Sequence, residues 1–127
     1  MLTVEYCEFL NEILRIGSDV RFVGMYDDNF KKITDGYQAD VITHLSREEM
    51  QNSVRYDMKR WETYKMFHSQ LGDTQFAMIK YDKAILITFS FNKSDYLRVS
   101  LEPNSDYKQI IEKIQSMIMK NPVIKTS

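Results

Sequence analysis

The chain has 127 residues, 43% of them hydrophobic and 28% charged, which suits one globular domain with a single core. Seventeen Lys and Arg against eighteen Asp and Glu leave a net charge of −1, which speaks against a general nucleic-acid binder and a polybasic membrane anchor. The single cysteine permits no internal disulfide, and the four glycines are too scattered to build a phosphate-cradling loop.

No apolar run approaches the roughly 20 residues of a membrane helix. Glu5 and Glu8 stand where a signal peptide needs positive charge, so a cytoplasmic location is expected. Thr3 to Ile16 is predicted as a helix, because Val4, Tyr6, Cys7, Leu10, Ile13 and Leu14 recur at three- and four-residue spacing. Gly17 is expected to end it in the left-handed conformation. Val20 to Tyr26 is rich in strand formers, and Asp27-Asp28-Asn29 reads as a turn. Phe30 to Tyr37 returns as a second strand, placed at an edge by its charges at Lys31, Lys32 and Asp35.

Ser46-Arg47-Glu48-Glu49 reads as a capping box. Met50, Val54, Met58, Trp61, Tyr64, His68 and Leu71 then form one stripe, predicting an unbroken helix that stops at Gly72. Three strands follow, at Gln75 to Lys80, Ala84 to Phe91 and Tyr96 to Leu101. Both faces of Ala84 to Phe91 lack charge, so that strand is predicted to be central. The last helix begins after Pro103-Asn104-Ser105-Asp106 and turns Tyr107, Ile110, Ile111, Ile114, Met117 and Ile118 inward. The order α-β-β-α-β-β-β-α predicts an α+β fold, a five-stranded antiparallel sheet flanked by helices. Residues 1–119 are read as one domain and 120–127 as a flexible tail, with Asn121-Pro122 as a stop signal.

Candidate chemistry is sparse. Cys7, His44 and His68 lie on three different elements and form no short-spaced ligand pair, so no metal or cofactor is expected. Cys7 lies among Glu5, Glu8 and Glu12, which oppose a thiolate, and on the apolar stripe, so it reads as a small core residue. Asp27-Asp28 reads as turn chemistry and Glu48-Glu49 as helix-dipole chemistry. Arg55, Lys59, Arg60, Trp61, Tyr64 and Lys65 interleave base and ring, as single-strand binders do, but Asp57 and Glu62 dilute the charge and the stripe claims the rings. That stretch reads as a solvated helix face. No catalytic constellation emerges, and the chain is read as non-enzymatic. Gly24, inside a strand, marks a bulge or a close backbone approach. Tyr26, Tyr37, Tyr96 and Arg98 are the polar groups that would serve a small-ligand sensor of PAS-like architecture.

The element order resembles the roadblock, longin and profilin-like superfamily over almost the whole chain. The tract Leu45-Ser46-Arg47-Glu48-Glu49, Trp61, Gly72, Tyr81, Ser94-Asp95-Tyr96-Leu97 and Ile110-Ile111-Glu112 also looks like a family of small proteins from ammonia-oxidising archaea. The chain lacks that family's basic residue near Ile85 to Thr88 and its Gly-rich turn near Tyr37, and the resemblance supplies no catalytic residues. The roadblock resemblance implies a homodimer formed by the middle helix and the strand after it, regulating a small GTPase or serving as a scaffold. The matching positions here are Met58, Met66, Phe67, Phe76, Met78 and Lys80.

Overall fold

The computed structural model describes residues 2–92 and 94–120. Helices α1 (Leu2–Leu14), α2 (Arg47–Lys65), α3 (His68–Leu71) and α4 (Tyr107–Lys120) alternate with strands β1 (Val20–Tyr26), β2 (Lys32–Tyr37), β3 (Phe76–Lys80), β4 (Ile85–Phe91) and β5 (Asp95–Leu101). The strands form one antiparallel five-stranded sheet in the order β2-β1-β5-β4-β3. The α+β architecture expected from the sequence is therefore present. β4 is an interior strand, flanked by β5 and β3 and buried along most of its length as expected, while β5 takes the middle place because β1 pairs with it across the sheet.

Alternation along the strands creates two faces. Ile85, Ile87, Phe89 and Phe91 of β4 and Leu97, Val99 and Leu101 of β5 pack with Tyr6, Phe9, Leu10 and Ile13 of α1 and Ile110, Ile111 and Ile114 of α4. The opposite face gathers a smaller aromatic cluster, in which Tyr26, Phe30 and Tyr96 meet Val54 and Trp61 of α2. The sheet is thus sandwiched, with α1 and α4 on one side and α2 on the other. Among the described residues no helix is long and apolar enough to cross a membrane.

Several local expectations change. α1 stops at Leu14, and Gly17 is not left-handed, Gly72 being the one glycine with positive φ. The side-chain amide of Gln38 instead lies 3.0–3.2 Å from the carbonyls of Leu14, Gly17 and Val20 and satisfies that turn. Val4 is exposed, and Cys7 is only half-buried, its Sγ 3.1 Å from Thr34 Oγ1. β2 begins at Lys32 and not Phe30, because Phe30 turns left-handed (φ 56°) to close the turn and lays its ring on Tyr96 at 4.5 Å. Tyr107 is exposed, at the start of α4 rather than in its core stripe. α4 includes Lys120, and Asn121-Pro122 with the rest of the expected tail lies outside the described residues.

The long stripe after Ser46 is not one helix. The capping box forms as its residues dictate: Glu49 N donates to Ser46 Oγ at 3.1 Å and Ser46 N to Glu49 Oε1 at 2.9 Å. α2 ends at Lys65, Phe67 leaves helical geometry (φ −106°, ψ 13°), and a single turn, α3, follows. Gly72 then ends α3 with φ 85° and ψ −177°.

Candidate interaction surface

The two edges of the sheet differ. On β2, Lys32 pairs with Asp35 at 3.2 Å, and the β1–β2 ladder is irregular between Met25 and Tyr26. Charge and irregularity of this kind discourage a further strand from adding. β3 lies at the other edge, and its sequence Phe-Ala-Met-Ile-Lys is apolar save for the last residue. Phe76 and Met78 are each 38% exposed. Upstream, Met66 (73%), Phe67 (49%) and Leu71 (82%) lead into the strand and face solvent as well. A contiguous stretch of chain therefore offers apolar side chains beside an open strand edge, an arrangement that marks association surfaces.

Of the residues expected at an interface, Met66, Phe67, Phe76, Met78 and Lys80 belong to this stretch. The Lys80 ammonium donates to Pro103 O at 3.0 Å, so its tip is tied back toward the loop before α4. Met58 does not belong. It packs against the Tyr26–Trp61 cluster and lines a hollow on the β2 side of α2, because α2 turns that side of its stripe away from β3.

α2 is fastened to the sheet by a buried ionic network. Asp57 Oδ2 accepts from Thr88 Oγ1 at 2.5 Å and from Arg98 Nε at 2.9 Å, and Asp57 Oδ1 accepts from Arg60 at 2.9 Å. Arg98 also donates to Ser53 Oγ at 2.9 Å, and its guanidinium lies 5.8 Å from the Tyr26 ring centroid. Asp57 and Arg98 are both nearly inaccessible, at 6% and 5%. Read as one of the solvated charges of α2, Asp57 was missed at the sequence level. Its position three residues after Val54 and four before Trp61, inside the apolar stripe, was the available signal.

Toward the N-terminal half of α2 the helix stands off the sheet and leaves an open groove of about 710 Å³. Tyr37, Met50, Tyr56, Leu86 and Arg98 are among its walls. Of the four polar groups expected in a ligand pocket, Tyr37 and Arg98 reach this groove, while Tyr26 and Tyr96 are buried in the aromatic cluster. Burial raises the Tyr26 hydroxyl above its ordinary pKa against the opposing pull of Arg98, and burial with Asp35 nearby raises Tyr37.

The other candidates have local duties. Asp27 Oδ1 accepts from the amides of Asn29 and Lys31 at 2.9 Å, holding the hairpin turn. The hydrogen bonds of the capping box lower the pKa of Glu49. His68 Nδ1 faces Asp73 at 3.2 Å. Among the described residues no group of three or more His, Cys, Asp or Glu gathers as a metal site would require. Trp61 is buried, Tyr64 packs on the same cluster, and Lys65 lies over the Tyr96 ring at 5.5 Å. The Trp61 and Tyr64 rings are thus turned toward this cluster rather than offered for stacking. Tyr6 adds a second buried polar lock, donating to Asp95 Oδ2 at 2.5 Å. Burial and the Asp95 carboxylate raise its pKa well above the tyrosine range.

No family model matches the chain, and no curated protein matches its sequence significantly. Solved structures do match its fold. The gliding protein MglB of Thermus thermophilus superposes with a TM-score of 0.71 at 10% identity, covering 90% of this chain and 85% of that one. A Roadblock/LC7 domain from Streptomyces avermitilis gives 0.71 at 6% identity, covering 94% and 96%. MglC of Myxococcus xanthus gives 0.62 at 8% identity, covering 91% and 95%. Identities this low speak to architecture alone. In architecture, then, this chain is similar to the Roadblock/LC7 structures: an α+β fold built on a five-stranded antiparallel sheet with flanking helices.

Proposed function

We propose that the chain is a non-enzymatic interaction module of roadblock type that works in the cytoplasm as a homodimer, regulating a small GTPase or serving as a scaffold. The observation that supports this reading is the open, apolar β3 edge with exposed Met66, Phe67 and Leu71 leading into it. Pairing two β3 strands about a two-fold axis satisfies both edges at once and covers the apolar side chains. The roadblock resemblance implies a dimer of the kind that often regulates a small GTPase or serves as a scaffold, and the fold likeness brings that role here as part of the proposal.

Light scattering at tens of micromolar in neutral buffer is expected to give twice the chain mass. Met78→Asp sets a charge on the seam and is expected to shift the dimer dissociation constant at least tenfold, about 1.4 kcal/mol, with unchanged circular dichroism. A monomeric parent chain at that concentration sinks the reading.

A second reading rests on the groove beneath α2. Its volume of about 710 Å³ falls in the range of roughly 300–1,000 Å³ typical of small-ligand sites. A sensor domain would hold a metabolite there against Tyr37 and Arg98. Native mass spectrometry of freshly purified chain decides it: a stoichiometric adduct lost on Tyr37→Ala supports the sensor, and bare protein opposes it.

A further inference from the structure

We propose that the groove under α2 takes an apolar molecule ending in a single carboxylate, and that Arg98 and Ser53 hold this carboxylate where α2 meets the sheet. The inference rests on the sensor reading of the groove and names its ligand class.

The sheet register lays out the floor. Tyr37 pairs with Phe22, Phe22 with Ser100 and Ser100 with Leu86, one residue from each of β2, β1, β5 and β4. All of them line the groove, so they form one row beneath the N-terminal half of α2. Neighbouring strands stand about 4.8 Å apart, which makes the row about 14 Å long. It is apolar except for Ser100 and the hydroxyl tip of Tyr37. Met50 of α2 and Val41 of the loop before it add apolar walls. Arg98 comes two residues before Ser100 on the same strand face, about 7 Å along β5.

The polar end is built from a buried cation. Arg98 is 5% exposed and borders the groove. Its Nε donates to Asp57 and its Nη2 to Ser53 Oγ, whereas Nη1 meets only the Met50 thioether, at 3.9 Å. A thioether is a weak acceptor, and each terminal nitrogen of a guanidinium carries a pair of N–H donors. Donors of Arg98 are therefore left for an oxygen in the groove. The Ser53 hydroxyl accepts from Arg98 and keeps its own proton to donate to the same oxygen.

Charge selects a monoanion. Arg60 and Arg98 both bind Asp57, so this cluster carries a surplus of one positive charge, and both guanidinium groups belong to the groove. The other charges of the walls have duties of their own. Arg21 pairs with Glu102, Lys83 follows Asp82 in the β3–β4 turn, and the exposed Glu49 carboxylate accepts from Ser46 N. A single carboxylate balances the cluster. A cation would meet like charge, and a phosphate monoester would set its second charge against Asp57.

Isothermal titration calorimetry of the full chain at neutral pH, with decanoate, decanol, decylamine and decyl phosphate as probes, tests this. Decanoate is expected to bind once per chain and at least tenfold more tightly than any of the others. Arg60→Gln removes the surplus charge and is expected to weaken decanoate about tenfold while leaving decanol unchanged. Ser100→Phe sets a ring in the middle of the row and is expected to abolish decanoate binding with unchanged circular dichroism. Tyr37→Ala, at the exposed end of the row, is expected to weaken it without that crowding. Decanol binding as tightly as decanoate, or an unchanged decanoate constant in Arg60→Gln, overturns the carboxylate and leaves an apolar groove. Tighter binding of decyl phosphate overturns the single charge. Decanoate binding that survives both Ser100→Phe and Tyr37→Ala overturns the site. No binding of any probe at millimolar concentration overturns the sensor reading itself.

Discussion

Asp57 and Arg98 are the residues on which the placement of α2 turns. Each is a charge in a place from which water is nearly excluded, and each is tolerated because the other is there. Removing one partner strands the other, a loss of roughly 3–5 kcal/mol for buried pairs. Urea denaturation of Asp57→Ala is expected to show a loss of that order, and Asp57→Leu with Arg98→Met to recover much of it. A loss under about 1 kcal/mol in the single variant would mean that the aromatic cluster alone holds α2. Gly24 has a comparable local cause. A Cβ there would come within 2.8 Å of the Tyr26 ring and 2.9 Å of the Phe22 ring, so its bare backbone makes room for both side chains. The sequence places this glycine in a strand, but the rings that lean over it are a tertiary fact.

At the level of elements, the connection from α2 to β3 shapes the surface. An unbroken helix from Met50 to Leu71 satisfies the apolar spacing, yet the chain leaves helical geometry at Phe67 and ends α3 at Gly72. The spacing is fulfilled through Tyr64, beyond which the sheet no longer lies beneath the helix and Leu71 is 82% exposed. Gly72, at φ 85° and ψ −177°, occupies a region that essentially only glycine adopts. Gly72→Ala is therefore expected to cost about 1–3 kcal/mol, read as a lower thermal midpoint. An unchanged midpoint would show that the turn relaxes freely. The strands were more legible than this connection, since β4 and β5 form where their strand-forming residues lie and are buried on both faces along most of their length. Which strand is central was not legible, because the β1–β5 pairing joins residues far apart in sequence.

For the whole molecule, two cores of unequal size flank one sheet. The larger, between the sheet and α1 with α4, is closed by apolar burial and by the buried Tyr6–Asp95 hydrogen bond. The smaller, beneath α2, combines rings with the buried charges and borders the groove on one side. A dimer built on β3 links folding to association, so its melting temperature depends on concentration. Raising the concentration from well below the dissociation constant to a hundred times above it is worth about 2.7 kcal/mol. The thermal midpoint is expected to climb by several degrees across that range, and the Met78→Asp midpoint to stay flat. A parent midpoint indifferent to concentration would speak against a dimer coupled to folding.

The order of elements, the capping box, the apolar faces of the strands and the edge character of β2 were written in local spacing and turn chemistry. Those signals act over a few residues, and the fold honours them. Long-range pairing decided the rest. It buried Asp57 against Arg98 and Thr88, it turned Met58 toward the β2 side, and it set β5 in the middle of the sheet with β3 at its edge. Periodicity marks which face of an element is apolar. Only the packed sheet determines which of those faces is left uncovered.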